Sequence, residues 1–276
     1  MDERSAFLTS RDGTRIHVVT FEEPASPRGE VVVMGGLAEH AGRYRHVAAR
    51  LATAGFHVTV AEPRGHGDSE GRRGHVDRWS QYGDDLGAVL DSLPGPAWIL
   101  AHSMGGLIAL DVVRDPLPRP PRGLVCTNPL LGLALTPPAW KAAASSLLSA
   151  MLPTLAIGNE VVPEHLTHDK AIVDAYASDP KVFKAVTPRW FTEMRAAQAR
   201  VLAEPERVRL PLLMVTSDGD RVCAHEVARA FASRVPGATQ LQYPGLFHEV
   251  LNEFEKDAIL GDILAWIETH APTECP

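Results

Sequence analysis

Short apolar runs alternate with amphipathic, helix-length stretches from Gly29 to Pro129, and no other feature of the chain constrains its fold as strongly. "GEVVVMGG" (Gly29–Gly36) reads as a buried strand ending in a glycine loop, and "RYRHVAARLATAG" as a helix ending at Gly55. "FHVTVAEPRGHGDS" is a strand running into a turn. "SQYGDDLGAVLDSL" is a helix with Ser80 as its expected cap. "AWILA" (Ala97–Ala101) is a strand, "MGGLIALDVVR" (Met104–Arg114) a helix and "GLVCTNP" a strand. Strands that are apolar throughout and separated by helices belong to a parallel sheet covered on both faces. Ahead of this region, "AFLTSRDGTRIHVVTF" predicts a hairpin around Asp12-Gly13.

The alternation stops after Pro129. Residues 130–207 are helical in pattern, alanine-rich and punctuated by proline. A strand–helix–strand–helix pattern then resumes with "PLLMVTSDGD", "AHEVARAFASRV", "TQLQYPG" and "EKDAILGDILAWIETH". The expected organisation is one α/β core, residues 1–129 and 208–276, with a helical cap, 130–207, inserted into it. Such an insertion would lie over the strand ends, where open α/β sheets bind ligands.

Ser103 interrupts the apolar stretch "WILAHSMGGLIAL" at a strand-to-helix junction. A serine there can simply cap the helix. The local pattern A-H-S-M-G is also the G-x-S-x-G nucleophile elbow with alanine in the first glycine position. Small residues flank such a serine because strand and helix cross closely, and the following helix aims its amides at a developing oxyanion. A serine hydroxyl is a poor nucleophile until a base takes its proton and a third group orients the base. "LLMVTSDGDRVC" ends a strand in Asp218 and Asp220. "LQYPGLFHEVLNE" places His248 between the last strand and the last helix. Either aspartate can be a turn residue, and His248 a structural histidine, but the order Ser, Asp, His at strand ends fits a triad. Met104 and Leu37 are the expected oxyanion donors, with Gly35 and Gly36 in "MGGLAEH" allowing close backbone approach.

Composition narrows the partners. The net charge is −7 with no block of Lys or Arg, against a nucleic-acid binder. "RPPRG" (Arg119–Gly123) reads as a proline-stiffened loop. Cys126, Cys223 and Cys275 are far apart and odd in number, so neither a disulfide framework nor zinc spacing is expected. Cys223 reads as a small buried hydrophobe. His165 and His168 in "HLTHD" lack the further ligands a metal needs. No metal, no cofactor and no dinucleotide loop are expected. "MDERSAFLTSRDG" lacks a signal-peptide core and no run reaches a membrane span, so a cytoplasmic protein is expected. The uncharged "AAASSLLSAMLPTLAIG" (Ala142–Gly158) suggests a greasy surface or lid, and an exposed apolar patch there would favour reversible contact with micelles or membranes.

These residues carry a family likeness. "GLAEHAGRY", "RGHGDSEGRRGHV", "HSMGG", "SDGDRV" and "YPGLFHEVLNE" together resemble the monoacylglycerol lipase and lysophospholipase branch of the serine α/β hydrolases, and the likeness extends to "DAYASDPKVF" (Asp174–Phe183) in the insertion. The resemblance implies an α/β-hydrolase fold, a triad of Ser103, Asp220 and His248 with Asp220 preferred over Asp218, and oxyanion amides from Leu37 and Met104. Arg43 and Tyr44 would brace the oxyanion loop and His66 would hold its turn. The implied substrate is a single-chain lipid ester such as a monoacylglycerol. A lysophospholipid or short-chain ester, and a non-catalytic ligand-binding protein of the same fold, are the alternatives. Gly36 and an acyl pocket of Leu147, Leu148, Met151, Leu152 and Leu155, with Ile157, are the expected substrate contacts. Three positions depart from the family pattern: Gly35 for His, Ala101 for Gly and Ser217 for Gly. Gly35 is expected to leave the oxyanion loop looser.

Overall fold

The computed structural model describes residues 2–22, 27–135 and 139–271, and Cys275 lies outside them. Strands β1 (Asp2–Thr9) and β2 (Arg15–Glu22) form the hairpin around Asp12-Gly13, where Gly13 has φ +90°. Then follow β3 (Glu30–Met34), α1 (Arg45–Thr53), β4 (His57–Ala61), α2 (Ser80–Ser92), β5 (Ala97–His102), α3 (Met104–Val113) and β6 (Gly123–Thr127). The segment 130–207 contributes α4 (Ala139–Met151), a two-stranded ribbon of β7 (Ile157–Gly158) and β8 (Ala185–Val186), α5 (Lys170–Ser178) and α6 (Pro188–Ala203). The chain closes with β9 (Leu212–Ser217), α7 (His225–Ala232), β10 (Thr239–Tyr243) and α8 (Lys256–His270).

The eight-stranded sheet runs β1-β2-β4-β3-β5-β6-β9-β10. Its last six strands are parallel, and β2 joins β4 antiparallel. Every residue of β3, β5, β6 and β9 is buried, as the unbroken apolar runs predict for strands covered on both faces. Alternate residues feed two cores. Val32 and Met34 pack with Trp79, Leu86 and Leu107 on one face, while Val31 and Val33 pack with Val47, Leu51 and Ile263 on the other. Each fully buried aliphatic side chain contributes about 1.5–3 kcal/mol, so the central strands anchor whatever their carboxyl ends carry.

Ser80 does not cap α2. It is the first helical residue; Trp79 holds the cap position without a side-chain bond, and its N–H donates to Glu193 of α6 at 2.8 Å. A carboxylate from the distant helix α6 thus stabilises this helix start, which no local pattern encodes.

Candidate active site

Ser103 sits between β5 and α3 with φ 51° and ψ −114°, a backbone conformation costly for a side-chain-bearing residue. The surroundings enforce it. The Ser103 N–H donates to Thr127 O, and the Ser103 carbonyl accepts from Leu107 and Leu130. The small residues around it are required by contact: a Cβ on Gly105 would lie 2.7 Å from the carbonyl oxygens of Met34 and Gly35. Ala101 is accommodated, fully buried in the first core.

The strand ends bring the predicted partners to this serine. His248 Nε2 lies 2.9 Å from Ser103 Oγ, and His248 Nδ1 lies 2.8 Å from Asp220 Oδ2. Asp220 Oδ1 accepts the N–H groups of Val222 and Cys223 at 2.8 and 2.9 Å. Asp218 instead accepts the Gly245 N–H at 2.5 Å, a turn contact. Burial would push the His248 imidazole down, but the charge and hydrogen bond of Asp220 hold it above the ordinary histidine value. Burial would likewise raise Asp220, and His248 with the two backbone donors brings it below the usual carboxylate value. His102, against His248 with ring centres 4.7 Å apart, is pushed down to about 4 by burial and by that neighbour. Asp220, Cys223 and His248 bring ligand-type atoms close together, and both imidazole nitrogens are hydrogen-bonded, to Ser103 and Asp220. Cys223 is buried, and burial raises its thiol. His168 pairs with the buried Glu253 at 2.9 Å, and His165 lines the cavity over Ser103.

The loop after β3 lies directly against the serine. A Cβ on Gly36 would fall 3.1 Å from Ser103 Cβ, so the close approach needs glycine. The amides of Leu37 and Met104 donate to no partner among the described residues, which leaves both available to a ligand oxygen. The loop is not loose. Glu39 accepts from the Gly36 N–H, from Tyr44 Oη at 2.6 Å and from Arg43 Nε at 3.1 Å, and Arg43 reaches Glu249 at 2.6 Å. Burial alone would raise the Glu39 carboxyl, but the neighbouring His102, Arg43 and these donors hold it at about 2. The expectation from Gly35 is therefore corrected: any Cβ there would meet Tyr44 Cε2 at 2.9 Å and Glu39 Oε2 at 3.2 Å, because those side chains already fill the space. Gly35→His is expected to cost about 1–3 kcal/mol by overpacking and to lower any esterase rate, as denaturant melts and steady-state assays would read. The Arg43–Glu249 and His40–Asp179 contacts, the latter at 2.8 Å, span 206 and 139 residues, and the sequence carried no sign of them beyond E-H-x-x-R-Y. Asn128 was also missed. Its Nδ2 donates to His248 O at 2.7 Å and its Oδ1 accepts from Ser217 N at 3.0 Å, tying the acid and histidine loops together.

A cavity of about 330 Å³ opens over Ser103 and His248. Gly36, Leu37, Leu130, Leu133, Val161, Leu166, Trp190, Phe191 and Met194 line it, with Glu39, Glu249 and His165 among its polar residues. The expected acyl-pocket residues are elsewhere. Leu147, Leu148, Met151, Leu152 and Leu155 are absent from its walls, whereas Ile157 is present. Helix α4 turns a polar stripe inward: Ser145 lines the cavity and Ser149 bonds Thr192 of α6 at 2.9 Å. Side chains two positions along lie about 200° away around a helix. Leu147 and Met151 are accordingly 62% and 70% exposed, and Leu152 and Leu155 follow at 52% and 44%. His66, as expected, bonds its own turn through Arg64 O at 3.0 Å.

The family model described as serine aminopeptidase S33 matches residues 25–255. An abhydrolase domain-containing protein of Dictyostelium discoideum is 30% identical over 96% of this chain, which spans only 29% of that protein. A monoacylglycerol lipase of Mycolicibacterium smegmatis is 33% identical, with 94% of each chain covered. In fold, the crystal structure of a Paleococcus ferrophilus monoacylglycerol lipase superposes with a TM-score of 0.84 at 24% identity, covering 98% of this chain and all of that one.

Proposed function

The chain belongs to the family described as serine aminopeptidase S33, on the monoacylglycerol lipase and lysophospholipase branch of the serine α/β hydrolases, and from that premise of an ester-hydrolysing enzyme we propose that it cleaves carboxylic esters of single-chain lipids, foremost monoacylglycerol to glycerol and fatty acid. The observation that carries the reading is the hydrogen-bonded chain from Ser103 Oγ through His248 to Asp220 at the foot of a largely aliphatic cavity. In this mechanism Ser103 attacks the ester carbonyl as His248 Nε2 takes its proton, and Asp220 supports the imidazolium. The Leu37 and Met104 amides hold the oxyanion. His248 then protonates the leaving alcohol, and the same base activates the water that releases the fatty acid.

Aliphatic walls suit an acyl chain, and the segment 130–207 serves as the cap that encloses it. The test is fatty-acid release from a long-chain monoacylglycerol beside lysophosphatidylcholine and a short-chain nitrophenyl ester. Preference for the first supports the proposal, and turnover of the short ester alone overturns its lipid part.

Leu135, Ile157 and Val162 line the cavity yet are exposed, and Leu147, Met151 and Leu152 on the cap are exposed apolar side chains too. No helix among the described residues is long and apolar enough to cross a membrane. We assign this patch to reversible contact with aggregated lipid. Replacing Leu147, Met151 and Leu152 together by serine is expected to lower the rate on vesicle-borne monoacylglycerol at least tenfold, since withdrawing only two CH₂ groups from lipid, at about 0.8 kcal/mol each, already costs that factor. The rate on a soluble nitrophenyl ester should be unchanged. Equal loss on both substrates would point to damage to the cap itself.

A further inference from the structure

The sheet edge far from Ser103 in strand order carries a second serine–histidine–carboxylate chain. His17 is buried on β2, and its Nδ1 lies 2.8 Å from Glu62 Oε2. Its Nε2 lies 2.5 Å from Oγ of Ser5 on the edge strand β1. His17 and Glu62 are 5% and 2% exposed, whereas Ser5 is open to solvent. The hydrogens follow from Glu62, which also accepts the backbone N–H groups of Ala41 at 2.7 Å and Asp68 at 2.6 Å. A carboxylate accepting on both oxygens takes the Nδ1 hydrogen as a third donor, so Nε2 presents its lone pair and the Ser5 hydroxyl donates to it. That is a hydroxyl facing a base whose tautomer is held by an acid, the arrangement that activates a serine.

Ser5 lies within a paired strand, opposite Val19, whereas Ser103 stands at the N-terminus of α3, so among the described residues Ser5 has no matching helix start on its own strand. We propose that Ser5 is a second, surface nucleophile that accepts acyl groups from activated esters and thioesters and, lacking an oxyanion pocket, releases them only slowly to water as the free acid. In the step, Ser5 Oγ bonds the carbonyl carbon as its proton passes to His17 Nε2. The bond from that carbon to the leaving oxygen or sulfur breaks, the leaving group departs as its anion, and His17 Nε2 passes the proton on to water. Phe7, whose ring centre is 5.2 Å from that of His17, and Arg15, 4.2 Å from the centre of the Phe7 ring, border the approach and suit an aryl leaving group carrying negative charge.

The experiment uses the full chain with Ser103→Ala, so that the cavity serine contributes nothing, and p-nitrophenyl acetate as the probe. Mass spectrometry of the intact protein and its peptides should find one acetyl group per chain, on Ser5. Adding Ser5→Ala, a change at an exposed position, should abolish it. Adding His17→Asn should slow it about 10²-fold, the lower end of what a general base supplies, with a thermal melt showing that the fold is kept. Absence of acetyl on Ser5, or labelling spread over lysines and hydroxyls that Ser5→Ala leaves unchanged, overturns the proposal. Ser103 is missing from every arm, so neither outcome bears on the lipid-ester reading.

Discussion

Ser103→Ala is expected to lower kcat on any carboxylic ester by about 10⁴–10⁶-fold while leaving the melting temperature within a few degrees of the parent. The side-chain oxygen meets His248 Nε2 at 2.9 Å, with the Cys223 thiol also beside it. Its removal takes away the nucleophile without unpairing the backbone, because Thr127, Leu107 and Leu130 meet Ser103 through main-chain atoms. Alanine meets the same strain as serine at φ 51°, since both carry a Cβ. The residual rate should stay above that in water, because the Leu37 and Met104 amides would still polarise a bound carbonyl. A fluorophosphonate should modify the peptide containing Ser103 in the parent and leave that peptide unmodified in the variant. Reading the adduct on that peptide keeps any reaction at Ser5 separate. Retention of more than a tenth of the parent rate by a folded Ser103→Ala protein would remove Ser103 from the mechanism.

The core of the fold was legible because its strands are buried on both faces, and such strands announce themselves as unbroken apolar runs such as "EVVVM" and "AWILA". The site was legible for a related reason. In a parallel sheet every strand ends at the same edge, so residues placed just after strands converge there: Ser103 after β5, Asp220 after β9 and His248 after β10. The features that stayed hidden depend on contacts between distant segments or on a helix's rotation about its axis. Arg43 pairs with Glu249 from the other end of the chain, and Trp79 takes its cap from Glu193. Helix α4 is apolar enough to turn either face inward, and the choice was made by Ser149 meeting Thr192, which is why Leu147 and Met151 point outward. Gly35 was misread for the same reason, since the side chains that fill its space come from Glu39 and Tyr44. The Ser5–His17–Glu62 chain depends on strand register, which places Ser5 beside His17 across the β1–β2 hairpin, and on Glu62 arriving from beyond β4.

Asp220→Asn carries the second large effect, and it has two signatures. An asparagine can keep Oδ1 on the Val222 and Cys223 amides, so the turn should survive. Its amide nitrogen then faces His248 Nδ1 as a donor, and the imidazole hydrogen is forced onto Nε2. An Nε2–H cannot accept the Ser103 proton, and kcat is expected to fall about 10⁴-fold. The second signature is the acid limb of the pH profile. The active form needs neutral His248, so activity rises with pH through the imidazole pKa, which Asp220 holds above 6.5 against the downward push of burial. Without that carboxylate, burial prevails, the pKa falls, and the residual activity should rise at lower pH than in the parent. Asp218→Asn is the matched control: Asp218 bonds the Gly245 amide and is exposed, so its rate should stay within a few-fold of the parent and its acid limb should not move. If Asp218→Asn lost the rate and Asp220→Asn kept it, the acid of this site would have to be reassigned. If Asp220→Asn lost rate with its acid limb unmoved, the carboxylate would be shaping the loop and leaving the charge state of His248 untouched.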